Sequence, residues 1–266
     1  SDLGGLDNFK DWLKLRERAF SQDAINYGLP YPKGLLLIGI QGTGKSIAAK
    51  IIAYEWQLPL LRLDFGRLFA SLIGQSEQRV RKMIEIAEAL APCVLWVDEI
   101  DKAFAGAQSS GDSGTTSRVL ATFITWLSEK TSPVFVVSTA NNIDAIPAEI
   151  LRKGRFDEIF FLNLPTREER KEIFKVHINK YRPGTSERFH LPILSELSND
   201  FSGAEIEQTV IDAMRIGFNE NREFNNEDII VSIQNCVPLA RTKSKELNLL
   251  KEWSESGNVI SASKYK

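Results

Sequence analysis

The feature that most constrains this 266-residue chain is the run Gly39-Ile40-Gln41-Gly42-Thr43-Gly44-Lys45-Ser46, set between an apolar stretch at 35–38 and a segment rich in Ala and Ile. A buried strand that ends in G-x-x-x-x-G-K-S and opens a helix is a P-loop in the context it requires. The glycines let backbone N–H groups turn inward around phosphate oxygens, and the helix start adds its positive end. Lys45 then reaches the outer phosphates and Ser46 ligates Mg²⁺. Gly39, Gln41, Gly42, Thr43, Gly44 and Ile47 complete the expected phosphate cradle. The competing reading is a plain glycine turn joining strand to helix.

Further apolar runs at 60–63, 94–97, 134–137 and 159–162 alternate with helical spacing such as Val80, Ile84, Ala87 and Leu90. Strand and helix in alternation predict an α/β fold, a doubly wound parallel sheet of five strands. After Pro165 the strands stop, and helical patterns follow at 167–181, 204–221 and 227–236. The expected organisation is an α/β nucleotide-binding domain over 1–164, a small helical lid over 165–237, and a C-terminal segment over 238–266. In that last segment Leu247, Leu250 and Trp253 predict a packed helix before a frayed end. The stretch 106–117, rich in Gly, Ser and Thr, reads as a mobile loop.

The third strand pattern ends in Asp98-Glu99, an apolar strand followed by paired acids. An acid there can hold the water shell of Mg²⁺, the task expected of Asp98. The next carboxylate, Glu99, is positioned to polarise an attacking water. Beside a P-loop this Walker B arrangement implies hydrolysis of ATP; without one it would read as an acidic helix cap.

Composition narrows the partners. A formal charge of −2 argues against a surface that grips nucleic acid or anionic membrane. No apolar run reaches the length of about 20 residues that a membrane helix needs. Cys93 and Cys236 lie far apart within apolar stretches and read as reduced thiols in a reducing compartment. The chain opens at Ser1 directly in a motif, as a piece of a longer protein would.

With both nucleotide motifs in place, the chain from Asp2 to about residue 237 resembles the AAA family of the AAA+ ATPases. The resemblance implies that Asp2, Leu3 and Gly4 line the base pocket. Ser138-Thr139-Ala140-Asn141-Asn142 is similar to the sensor 1 turn, which implies that Asn141 orients the attacking water. The stretch from Leu151 to Asp157 is similar to the segment carrying arginine fingers, so Arg152 and Arg155 would reach a neighbour's site. Phe201-Ser202-Gly203-Ala204-Glu205 resembles the lid motif, with Gly203 and Ala204 near adenine.

Two stretches depart from the family pattern. Ile40 and Gln41 replace a pair of prolines in the P-loop. Leu72, followed by Ile73, stands where threading enzymes carry an aromatic pore residue, and leucine grips a passing peptide less firmly. Within the family the chain most resembles an AAA ATPase encoded in algal plastid and cyanobacterial genomes, which implies a plastid stroma or cyanobacterial cytoplasm and a photosynthesis-related role. The implied activity is that of a homo-oligomeric ring, a hexamer by resemblance, using ATP and Mg²⁺ to remodel a protein substrate. The alternative is a slow nucleotide-dependent switch or scaffold. A protease-coupled unfoldase would need its peptidase on another chain, since only His177 and His190 are present and no paired-histidine motif occurs. A nucleic-acid translocase is disfavoured by charge.

Overall fold

The computed structural model describes residues 4–64, 76–108, 113–152, 154–257 and 259–264. Asp2, Leu3, Leu72 and Ile73 lie outside this set. The α/β part begins with α1 (Asp7–Lys14) and α2 (Gln22–Tyr27), followed by β1 (Gly34–Ile38), α3 (Lys45–Glu55) and β2 (Leu60–Asp64). It continues through α4 (Ser76–Ala89), β3 (Cys93–Asp98), α5 (Ile100–Gln108) and α6 (Ser113–Glu129). It closes with β4 (Val134–Ala140), α7 (Ala148–Leu151) and β5 (Glu158–Phe161).

All pairings are parallel, in the order β2-β3-β4-β1-β5-β6, where β6 is Ile260–Ser261. Leu36 and Ile38 of β1 join one apolar cluster with Leu95, Val97 and Val136. Leu35 and Leu37 join the opposite one with Val94, Trp96, Phe135 and Val137. Side chains alternate across a strand, so a strand covered on both faces must be apolar at every position. This is why the strands read as unbroken apolar runs. Helices α4, α5 and α6 cover the first face through residues such as Val80, Ile84, Phe104 and Phe123. Helices α1 and α3 cover the second through Phe9, Trp12, Leu13 and Ile52.

Four helices then build a separate cluster: α8 (Arg167–Tyr181), α9 (Leu191–Leu197), α10 (Gly203–Asn219) and α11 (Asn226–Gln234). Capping boxes at Thr166/Glu169, Ser202/Glu205 and Asn225/Asp228 start three of them, each satisfying N–H groups that the first helical turn leaves without partners. After the short α12 (Leu239–Thr242), helix α13 (Ser244–Glu255) returns Leu247 and Leu250 to the first sheet face.

The structure corrects the sequence reading in three places. Among the described residues the sheet has six strands rather than five, because the tail does not fray. The Ala262 N–H donates to Phe161 O (3.0 Å), the Phe9 N–H donates to Ala262 O (3.1 Å), and the Ala262 side chain is fully buried. Asn8 Nδ2 donates to the carbonyls of Ser261 and Ser263, so α1 and β5 together hold the added strand. Helix α9 was absent from the expected pattern, being seven residues long with a proline in its first turn. Helices α5 and α6 also run into both ends of the expected 106–117 loop.

Candidate functional site

Residues after β1, β3 and β4 meet at the carboxyl ends of these strands, where open parallel sheets bind ligands. The wall of a cavity of about 310 Å³ there includes Gly4, Gln41 to Ile47, Asp98, Glu99, Asn141, Gly203 and Ala204. Leu6, Thr139, Asn163, Glu169, Ile173, His177 and Glu207 also line it.

The P-loop wall follows from its glycines. Gly44 has φ 95° and caps α3 with no side-chain acceptor, and the first turn of α3 carries no acid. Its first N–H groups therefore face the cavity without a protein partner, the arrangement that favours an anion. Gly42 has φ 81°, and a Cβ there would lie 2.6 Å from Ser202 Oγ. The Ala204 N–H donates to Gly42 O at 3.3 Å, so the start of α10 rests directly on the P-loop. Lys45 is buried, and its Nζ donates to the carbonyls of Gly39 and Ile40 at 2.6 Å each. Burial pulls its pKa down to about 8, against the opposing pull of Asp101, Asp98 and Glu99. Gly39 itself does not line the cavity; it lies beneath, where a Cβ would stand 2.3 Å from Leu162 O.

The acidic wall is tied together through Thr139. Its Oγ1 donates to Asp98 Oδ1 (2.8 Å) and accepts from the Glu99 N–H (3.0 Å). Asp98 Oδ2 accepts from Arg62 Nη2 at 2.7 Å, and that guanidinium lies over the Trp96 ring. Glu99, in the left-handed region at φ 51°, accepts from Asn141 Nδ2 at 3.2 Å and pairs with Lys102. Asp101 accepts from the Asn142 N–H at 3.0 Å, which fixes the turn bearing Asn141. Burial pushes the Asp101 carboxyl up, while backbone N–H groups of Asn141 and Asn142 hold it down. Sequence reasoning assigned no task to Thr139, Arg62, Asp101 or Lys102. Only Glu99 and Lys102, three residues apart at a helix start, carry a local signal.

The remaining wall mixes Gly4, Leu6, Ile173, Gly203 and Ala204 with Asn163, Glu169, His177 and Glu207. The Leu6 N–H donates to Glu169 Oε1 at 3.1 Å, and a Cβ on Gly5 would meet that carboxylate at 2.4 Å. This binds the N-terminal segment to α8, beside Ile173 and His177. His177 is buried, with Nδ1 3.6 Å from Glu207 Oε1.

The donors fit a magnesium ion held together with phosphate. The exposed Ser46 hydroxyl and the Asp98 carboxylate share the cavity wall, and Mg²⁺ takes one or two protein oxygens plus phosphate and water. Among the described residues no cluster of three His, Cys, Asp or Glu could form an all-protein cage.

Arg152 and Arg155 do not join this site. The Asp157 N–H donates to Gly34 O at 2.8 Å, which puts their segment at the amino end of β1. That is about 13 Å from Ile38, at roughly 3.3 Å per residue. Arg152 is exposed and Arg155 half-buried. Among the described residues neither guanidinium has a hydrogen bond or ion pair, and Arg155 Nε is buried without a partner.

Residues 35–164 match the family described as "ATPase family associated with various cellular activities (AAA)". The chain carries an AAA domain. It is 60% identical to the "Uncharacterized AAA domain-containing protein ycf46" of Guillardia theta over 99% of this chain and 52% of that protein. It is 59% identical to the protein of the same name from Trieres chinensis, over 98% of this chain and 53% of that one. More distantly, it is 30% identical to the "Proteasome-activating nucleotidase" of Sulfurisphaera tokodaii, over 88% of this chain and 61% of that protein. The chain spans about half the length of the two ycf46 relatives. Among the described residues, no helix is long and apolar enough to cross a membrane.

Proposed function

We propose that the AAA domain hydrolyses ATP at the interface between two copies of the chain. The observation that carries this reading is the convergence of the uncapped P-loop helix, the Asp98–Glu99 pair and Asn141 on one cavity. In this reading Lys45 and the N–H groups of the P-loop hold the phosphates, and Ser46 and Asp98 hold Mg²⁺, which screens phosphate charge. Glu99 accepts a proton from water that Asn141 orients. Gly4, Ile173, His177, Gly203 and Ala204 border the base, with 1–164 as the nucleotide-binding domain, 165–237 as a lid and 238–266 as a C-terminal appendage. Arg152 and Arg155 reach a neighbour's γ phosphate, which their distance from the P-loop of their own chain and their lack of partners support. Hydrolysis then drives remodelling of a protein substrate by a homo-oligomeric ring. The name of the Sulfurisphaera tokodaii nucleotidase supports work coupled to other proteins, and the resemblance to plastid-encoded ATPases supports a plastid location. The relatives' names say nothing of photosynthesis, and no such role is proposed.

One observation favours a slower switch as the second reading: Asp98 is engaged by Arg62 and Thr139, and Glu99 by Lys102 and Asn141. Phosphate release with Mg·ATP across a wide range of protein concentration decides between them. Specific activity that rises with concentration supports the interfacial site. Flat, slow turnover by fully assembled chains with firm ATP binding supports the switch. Lys45→Ala should bind no ATP, and tight binding by that variant would remove the P-loop assignment.

A further inference from the structure

We infer that Lys33 is the positioning residue of the arginine segment, an inference that rests on the reading that Arg152 and Arg155 act on a neighbour. Lys33 stands just before β1 and its Nζ donates to two carbonyls, Ser128 O on α6 (2.6 Å) and Gly154 O (2.9 Å). The second lies between the two arginines in sequence. Gly154 has φ 104°, and a Cβ built there would meet nothing within 4 Å. Packing therefore does not hold Gly154 itself; among the described residues, the ammonium of Lys33 does.

The base of Lys33 is fixed in turn. Its carbonyl accepts from the Val136 N–H at 3.1 Å. The next residue, Gly34, donates to Asp157 Oδ2 at 2.9 Å and accepts from the Asp157 N–H at 2.8 Å. A Cβ on Gly34 would fall 2.1 Å from Val136 O, so only glycine lets β1 and β4 approach this closely at the stitch. Beyond Asp157, β5 pairs with β1, and the side chain of Phe156 is sunk in the core. Lys33 thus ties the turn carrying Arg152 and Arg155 to rigid strands and to the end of α6. Without the ammonium, the turn would be anchored only at Phe156 and Asp157 on one side and at α7 on the other.

A reacting group displaced by about 1 Å can lose about 100-fold in rate. Lys33 lies at the end of β1 away from the P-loop of its own chain, so its effect should fall on the partner's turnover rather than on ATP binding in its own cavity.

Subunit mixing tests this. Lys33→Met keeps the apolar stem and removes the donors. It should bind ATP within about twofold of the native chain yet hydrolyse it about 10- to 100-fold more slowly, and Lys33→Arg should restore most of the rate. Mixed before assembly with Lys45→Ala chains, which keep a sound arginine segment, Lys33→Met should recover activity. Mixed with an Arg152→Ala/Arg155→Ala double variant, it should not. Turnover of Lys33→Met within twofold of native overturns the inference. It also falls if Lys45→Ala chains rescue the double-arginine variant but not Lys33→Met, in which case the interfacial reading stands. If they rescue neither, the interfacial reading falls and takes this one with it. Should Lys33→Met fail to fold, Lys33→Gln replaces it in the same mixtures and is read the same way.

Discussion

The two ends of the central strand β1 are built on opposite plans. At its carboxyl end each acid is held within the chain: Asp98 by Arg62 and Thr139, Glu99 by Asn141 and Lys102, Asp101 by the turn after β4. At its amino end the backbone is stitched down through Gly34, Asp157 and Lys33, while the guanidinium groups of Arg152 and Arg155 have no partner among the described residues. Burying a charged group without a partner costs far more than exposing it; Arg152 is exposed, whereas Arg155 is half-buried with its Nε orphaned. This contrast accords with the proposal that the acids work in this chain and the arginines on a neighbour.

The largest effect should come from the unpaired end. Arg152→Ala/Arg155→Ala should lower turnover about 10³-fold or more, as for fingers in other phosphoryl-transfer systems, with ATP binding by equilibrium dialysis unchanged. Activity within tenfold of native would break the contrast, making these arginines solvated surface groups. Next comes the paired end. Glu99→Gln should bind ATP normally and release phosphate about 10²- to 10⁴-fold more slowly in single-turnover assays; near-normal release would show that another group accepts the proton.

The two ends also differ in how far sequence alone could reach. The P-loop and the Asp98–Glu99 pair are local strings whose chemistry depends on spacing, and the core strands announce themselves because both faces are buried. Partners across space leave no such trace. Arg62 meets Asp98 from 36 positions away, and Glu169 meets the Leu6 N–H from 163 positions away. Strand β6 is two residues long, too short for any period, and forms only because β5 offers a free edge and α1 a seat for Ala262. Arg152 and Arg155 are singled out by family resemblance alone; their lack of partners is visible only in three dimensions, and the exposed Arg118, Arg188 and Arg241 share it among the described residues.

A smaller effect should come from the link that holds the paired end together. Thr139→Val keeps the shape but removes the hydroxyl that donates to Asp98 and accepts from the Glu99 N–H. Leaving those groups unsatisfied should cost about 1–3 kcal/mol of stability, read as a lower Tm. Turnover should fall about tenfold as Asp98 and Glu99 lose their common tether, at 1.4 kcal/mol per factor of ten. Thr139→Ser should recover both. Equal turnover in the valine variant would mean that strand pairing alone places the acids.

The most gradual effect belongs to the unpaired end and depends on pH. Lys130 lies close to Asp157 and Lys33, and its Nζ donates to Val134 O at 2.5 Å. Burial lowers its pKa from 10.5 to about 8, with Lys33 adding to the fall and Asp157 opposing it. The folded chain therefore holds this proton less tightly than the unfolded chain, so charged Lys130 opposes folding below about pH 8. Stability should rise as pH climbs from about 8 towards 10.5, where the unfolded state still binds the proton and the folded state has released it. Lys130→Met removes the titrating group, so the difference in unfolding free energy between native and variant should drift in favour of the native chain. The expected slope is about 1 kcal/mol per pH unit across that window, read from urea unfolding at matched ionic strength. A flat difference would mean that the ammonium stays hydrated, and the amino end of the sheet would then be wetter and less rigid than a fixed platform for arginines requires.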